Sequence, residues 1–252
     1  MTRIPVENGT LPSSPAVGWW TPPRRTRKEL IDSFDQPADD LARSFRDIER
    51  INRYLGGVAP VLDALEVLVG ECRAPRTVLD VCTGSADIPR AVARWAQRKQ
   101  LPLSLYALDA NQNVLNLARD RDSQGACIDL ICADAGRLPF ANDAVDIVLC
   151  SLSLHHFDDE DAVRILREMQ RVARRAIVVN DLRRGYLPAG LIWLVTRLAC
   201  MNRLTKHDAV LSVLKSRTVR EYRALAEMAG LSSAEIKARP FWRVSLVASV
   251  DQ

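Results

Sequence analysis

The chain has 252 residues, 48% of them hydrophobic and 26% charged, with a formal net charge of +4. That length fills one substantial core, whereas two full domains would each be undersized. The excess charge comes from scattered arginines with no nucleic-acid-binding module appended, which reads as a solvated surface and excludes a dedicated nucleic-acid binder.

Residues 1–24 hold five prolines among Ser, Thr and Gly and read as extended or disordered. Trp19 and Trp20 are the exception, because adjacent tryptophans rarely remain in water; they pack back on the domain or on a subunit neighbour, so a homodimer stays open. From Lys28 the pattern turns helical, and between Asp39 and Leu55 the positions Leu41, Phe45, Ile48, Ile51 and Leu55 share one face. Gly56-Gly57 ends that helix. Its other face carries Arg46, Arg50 and Arg53, and a further helix runs from Val58 to Cys72. Residues 25–72 therefore form a helical unit ahead of a main domain over 73–252.

In the main domain strands at 77–82, 103–109, 127–132, 144–151 and 175–181 alternate with helices at 87–99, 111–121 and 159–174. This rhythm predicts a largely parallel sheet with right-handed crossovers. Helices at 187–202, 206–214 and 217–229 follow, and two strand-like runs at 233–237 and 243–249 close the chain as an antiparallel hairpin. No apolar leader follows Met1, and the apolar stretch 187–201 is broken by Arg197 and too short to span a bilayer, so a cytoplasmic protein without membrane segments is expected. Six cysteines form no CxxC pair and read as reduced, buried thiols, with no metal centre.

Three strands end in an acid. Thr77-Val-Leu-Asp-Val-Cys-Thr-Gly-Ser-Ala-Asp87 runs from strand through a small-residue turn into a helix start, Leu105-Tyr-Ala-Leu-Asp109 ends the second strand, and Leu130-Ile-Cys-Ala-Asp134 ends the third. A strand end facing free helix N–H groups suits a nucleotide-like ligand. This ordered series resembles the class I S-adenosylmethionine (SAM)-dependent methyltransferases, from about Val78 to the chain end. The resemblance implies an α/β fold: a Rossmann-like, doubly wound, mostly parallel seven-stranded sheet with a C-terminal antiparallel hairpin and an N-terminal helical lid. It implies SAM as cofactor, with Asp80, Thr83, Gly84 and Asp87 around the methionine part, Asp109 and Ala110 at the ribose, Asp134 and Ala135 at the adenine, and Ser151 and Leu152 beside the sulfonium. The family usually carries glycines where this chain has Cys82 and Ala86. Arg46, Asn52 and Arg53 of the lid are candidates for the carboxylate of SAM.

Transfer to an oxygen acceptor gains from a base, and this chain has three histidines. His155 and His156 follow the fourth strand in Ser151-Leu-Ser-Leu-His-His-Phe157, where the family lines its pocket beside the sulfonium. The alternative is that they hydrogen-bond backbone and fix the loop. His207-Asp208 lies in 182–216, where the family inserts substrate-facing elements; it is either a base with its acid or a helix cap. Asn180 and Asp181, ending the fifth strand, are expected to reach the substrate and resemble a polyketide-associated bacterial subgroup and, more distantly, the quinone-pathway C-methyltransferases. Base-methylating relatives carry an Asn/Asp-Pro-Pro-aromatic motif after strand four, where this chain has Ser-Leu-Ser-Leu. The expectation is methylation of a small aromatic or polyketide-like acceptor at oxygen, with C-methylation of a quinone-like ring and a non-catalytic SAM-binding regulator as alternatives.

Overall fold

The computed structural model describes residues 20–33, 36–70, 74–121 and 127–250. Trp19 and Cys72 lie outside these, as does most of the segment expected to be extended. Trp20 is 67% exposed and does not pack into the core.

Helices α1 (Ala38–Tyr54) and α2 (Ala59–Val69) precede an alternating series: β1 (Arg76–Val81), α3 (Asp87–Lys99), β2 (Leu103–Asp109), α4 (Gln112–Asp120), β3 (Ile128–Cys132), β4 (Val145–Ser151), α5 (Asp159–Val172) and β5 (Ala173–Leu182). Helices α6 (Tyr186–Leu198), α7 (Arg203–Lys215) and α8 (Val219–Ala229) then lead to β6 (Glu235–Arg239) and β7 (Arg243–Ser249). The sheet has seven strands in the order β3-β2-β1-β4-β5-β7-β6. The first five pair in parallel, while β7 runs antiparallel to both β5 and β6. The expected fold is therefore present, including the terminal antiparallel strands.

Alternation along the central strands divides the core in two. In β4, Val148 and Cys150 pack with α5 and α8, while Ile147 and Leu149 face α2 and α3. A side-chain period of two assigns each residue to one layer, and every residue of β4 is buried, as a strand covered on both faces must be. β3 lies at the sheet edge, and this corrects the cysteine expectation: among the described cysteines Cys150 is buried, Cys82 is half-buried, and Cys127, Cys132 and Cys200 are exposed.

The strand order reverses between β1 and β4. There the connections leave in opposite directions and open a crevice above the strands' carboxyl ends.

Candidate active site

A cavity of about 1180 Å³ occupies this crevice. Its floor comes from the β1–α3 turn and the ends of β2, β3 and β4. Its walls come from the apolar face of α1 (Phe45, Ile48, Ile51), from Leu191, Ile192 and Val195 of α6, and from residues 24–32.

The turn after β1 explains its own sequence. Cys82, Gly84 and Ala86 all adopt positive φ, at 56°, 56° and 57°. This is the left-handed region, costly for a residue with a Cβ and open to glycine. Cys82 and Ala86 thus hold a backbone shape for which glycine is the unstrained choice, and their side chains are retained through packing: Ala86 sits against Ala107 and Ala118. A Cβ built on Gly84 would stand 3.3 Å from Phe45 Cε1. Gly84→Ala is expected to cost about 1–2 kcal/mol from the left-handed backbone, read as a fall in Tm of roughly 2–8 °C. An unchanged melt would overturn the assigned turn geometry.

The three acids converge as the series implied, in graded positions. Asp109 lines the cavity, its Oδ2 accepting the Gly84 N–H at 2.8 Å and its Oδ1 the Asn111 N–H at 2.9 Å. Burial pushes its carboxyl above the usual range despite those backbone donors. Asp134 and Ala135 line the same wall, with Asp134 accepting from Gly136 N. Asp80 lies behind the turn, 3% exposed and outside the lining, accepting from Thr83 Oγ1 at 2.7 Å. Burial pushes its pKa up to about 8, with Asp87 and Asp109 adding to the effect. Thr83, Gly84, Asp87, Ala110, Ser151 and Leu152 all line the cavity.

Of the lid candidates, Asn52 lines the cavity and donates to Asp87 at 2.9 Å, whereas Arg46 and Arg53 face solvent. The structure corrects that expectation, since α1 presents its apolar stripe inward and its arginines outward.

The histidines separate. His155 is 2% exposed. Its backbone N–H donates to Asp181 Oδ2 at 2.9 Å, and its Nδ1 lies 2.6 Å from Asp181 Oδ1. The ring is thus turned so that Nε2 faces Glu29 Oε1 at 3.7 Å, and among the described residues neither atom has a hydrogen-bond partner. Lys215 Nζ approaches the same Glu29 oxygen at 3.2 Å, so an ammonium already meets that carboxylate's charge. His156 Nδ1 lies 3.1 Å from Asp32 Oδ2. Burial pulls its imidazolium pKa down, but Glu29 and Asp32 more than offset this and leave it raised. Glu29 Oε1, His155 and His156 bring three donor atoms within 4.8 Å of one another.

Three sequence expectations change here. His207 lies outside the cavity lining, half-buried in α7 with Nδ1 2.7 Å from Asp208 Oδ1. Asp208 is no helix cap either: Asn202 caps α7, while Asp208 accepts the backbone N–H groups of Leu30 and Ile31. Asn180 and Asp181 are fully buried and do not line the cavity. Asn180 donates to Gly57 O at 2.7 Å, and Asp181 holds His155 from behind. The Asp181 carboxyl, raised by burial, is brought below its usual range by His155.

Sequence reasoning missed Glu29, Asp32 and Lys215, which join His155 and His156 on one wall, and Arg243, which lines another. Residues 20–27 carry no local periodicity, and the helical pattern expected from Lys28 yields only a single 3-10 turn, Leu30–Asp32, before α1, because the ordering of this stretch depends on partners far away in sequence. Arg24 donates to Phe157 O at 2.8 Å and to Lys215 O at 2.8 Å, and Arg25 N bonds Leu214 O.

Residues 78–176 match the family described as "Methyltransferase domain". The chain is 35% identical over 153 residues to a "Demethylmenaquinone methyltransferase" of Thermotoga maritima, covering 60% of this chain and 59% of that one. It is 31% identical over 120 residues to a "Ubiquinone/menaquinone biosynthesis C-methyltransferase UbiE" of Chromobacterium violaceum, covering 47% of each. The matched stretch thus spans between about half and three-fifths of these relatives' length. Among solved structures, a SAM-dependent methyltransferase from Aquifex aeolicus superposes with a TM-score of 0.58 at 15% identity, over 86% of this chain and 100% of that one, a likeness of fold. Among the described residues no helix is long and apolar enough to cross a membrane. Residues 78–176 thus match a methyltransferase domain, and the order and direction of the seven strands give the chain the fold of the SAM-dependent methyltransferase from Aquifex aeolicus.

Proposed function

We propose that this protein transfers the methyl group of SAM to a hydroxylated aromatic ring of a small molecule, with His155 taking the proton of the ring hydroxyl. The observation that carries this reading is the orphaned Nε2 of His155, fixed by Asp181 on the wall of the cavity that also holds the Asp109 and Asp134 strand ends.

The cavity fits the cofactor. The buried Ser151 Oγ and Asp80 Oδ1 lack partners among the described residues, and Gly84 leaves a backbone edge open where a side chain would intrude. In this assignment Asp109 and Ala110 hold the ribose hydroxyls, Asp134 and Ala135 the adenine, and Thr83, Gly84 and Asp87, with Asp80 behind them, the methionine part. Ser151 and Leu152 lie beside the sulfonium. Bound there, SAM supplies an electrophilic methyl group. The remaining work is positioning an acceptor and excluding water. Residues 20–33 and α1 act as the lid, the segment contributing mostly charged side chains with Ile31, and α1 contributing Phe45, Ile48 and Ile51.

For an oxygen acceptor, the proton moves from the hydroxyl to Nε2 of His155 as the oxygen attacks. Asp181 keeps the other ring nitrogen protonated and stabilises the imidazolium that forms. A second reading, attack by a ring carbon activated through the same deprotonation, is favoured by the similarity to the C-methyltransferase of Chromobacterium violaceum. NMR identification of the methylated atom separates the two.

Calorimetric titration with S-adenosylhomocysteine is expected to show binding that Asp109→Ala weakens about tenfold to a hundredfold, the worth of charge-assisted hydrogen bonds to two hydroxyls. Tritium-labelled SAM mixed with a small-molecule extract of the host is expected to label an aromatic product. Absence of S-adenosylhomocysteine binding by the native chain would overturn the reading, and binding without any labelled product would favour a non-catalytic SAM-binding regulator.

A further inference from the structure

Arg243 opens β7 and stands opposite Leu182 at the carboxyl end of β5, in the half of the crevice away from β2 and β3. It is 3% exposed and lines the cavity. Its Nε donates to Leu55 O, at the end of α1, at 3.0 Å. Among the described residues no carboxylate lies within ion-pair distance of its guanidinium, and Nη1 and Nη2 have no hydrogen-bond partner. The carboxylate that acts on it through space is Asp181, whose oxygens are committed to His155 and to Leu182 N. Burial lowers the Arg243 pKa to about 10, which leaves it charged at neutral pH.

A buried cation facing apolar walls, with no carboxylate in contact and Asp181 acting only through space, is costly, and burial of this kind is retained where a ligand completes the pair. The helix end at Leu55 supplies a partial negative charge and accounts for one of the five donors. The fork formed by Nη1 and Nη2 remains.

A second feature points to the same place. Phe241 and Trp242, in the loop that leads into Arg243, both adopt positive φ, at 54° and 50°. Hairpin loops normally give such positions to Gly, Asn or Asp, because a bulky side chain there is strained by about 1–2 kcal/mol per residue. Both aromatics line the cavity next to Arg243, together with Leu55 and Leu182. Strain held in adjacent bulky residues facing a cavity marks a site built for an occupant.

We propose that Arg243 pairs with an anionic oxygen, carboxylate or phenolate, of the methyl acceptor, and that Phe241 and Trp242 pack against the acceptor's ring. The acceptor class is thereby narrowed to aromatic anions. This inference rests on the methyl-transfer reading, whose own failure would appear as lost S-adenosylhomocysteine binding by the native chain.

The test uses two probes of equal shape and different charge, 2-naphthoate and 2-naphthamide, titrated into the full chain saturated with S-adenosylhomocysteine. The native protein is expected to bind the naphthoate at least tenfold more tightly. In Arg243→Met that preference is expected to collapse to within about twofold, while S-adenosylhomocysteine affinity stays within about threefold. Arg243→Lys, which keeps the charge and loses the fork, is expected to retain part of the preference, and it serves where the Met variant fails to fold. Equal binding of the two probes, or of neither, by the native protein would overturn the proposal. So would a preference that survives in Arg243→Met, which would assign the anion to Arg24, Arg25 or Lys28. Loss of S-adenosylhomocysteine affinity in Arg243→Met would move Arg243 to the cofactor's carboxylate and overturn it as well.

Discussion

Replacing His155 by glutamine is expected to slow methyl transfer about 10²- to 10⁴-fold, the range over which a positioned general base contributes. Glutamine keeps a polar group beside Asp181 and so avoids stranding a fully buried carboxylate, a defect that alanine would introduce. Asp181→Asn is expected to lower the rate at least tenfold, because an amide at 2.6 Å from Nδ1 no longer fixes which ring nitrogen carries the proton. In both variants S-adenosylhomocysteine affinity should stay within about threefold, since neither side chain is assigned to the cofactor. The measurement is single-turnover transfer from labelled SAM to the host acceptor identified through its labelled product. A loss smaller than tenfold in His155→Gln would end the general-base assignment and leave a mechanism of proximity alone. His207→Ala is the internal control, with an expected rate close to that of the native protein, because His207 lies outside the cavity lining.

The separation of His155 from His207 shows what the sequence could and could not carry. Asp80, Asp109 and Asp134 were legible because strand ends of a parallel sheet converge by topology, whatever the side-chain packing. Helix α3 was legible to the residue, since Asp87 at its start and the apolar spacing of Ile88, Val92 and Trp95 are local signals. The partnership of His155 with Asp181 was not. It depends on the parallel register that sets Ser151 beside Asn180, which places the loop after β4 directly over the next residue of β5. Both residues were singled out, but as two pocket groups side by side, whereas the structure stacks one behind the other. Residues 20–33 carried still less signal. Residues 20–24 read as the end of a tail and 25–33 as the start of a helical unit, whereas their order comes from Asp208 and Asp159, more than a hundred residues further along. The departures from glycine at Cys82 and Ala86 pointed to the right turn, and their backbone angles give the reason.

Arg217→Met is expected to cost about 3 kcal/mol of stability, the scale of removing one member of a buried, charge-assisted network. Arg217 is 1% exposed. Its Nη1 donates to Leu154 O at 3.0 Å, its Nη2 to Phe157 O at 2.9 Å, and its Nε to Asp159 Oδ1 at 2.9 Å. Those acceptors bracket His155 and His156, so one guanidinium sets the shape of the loop that presents both rings. Arg24 reaches Phe157 O and Asp159 as well, which ties the 20–33 segment to the same loop and limits the loss. Leu154 O would keep only the long bond from the Phe157 N–H at 3.4 Å, and a buried carbonyl left with so weak a donor supplies part of the cost. The ion pair itself contributes less, because Asp159 is about a third exposed and water screens it. Arg217→Lys is expected to recover little, since a single ammonium cannot meet three acceptors held in the plane of a fork. Urea unfolding reads the effect as a lower midpoint at unchanged slope. A shift equivalent to less than about 1 kcal/mol would mean that the loop after β4 is held by its own turns and by Asp181, with Arg217 a passenger.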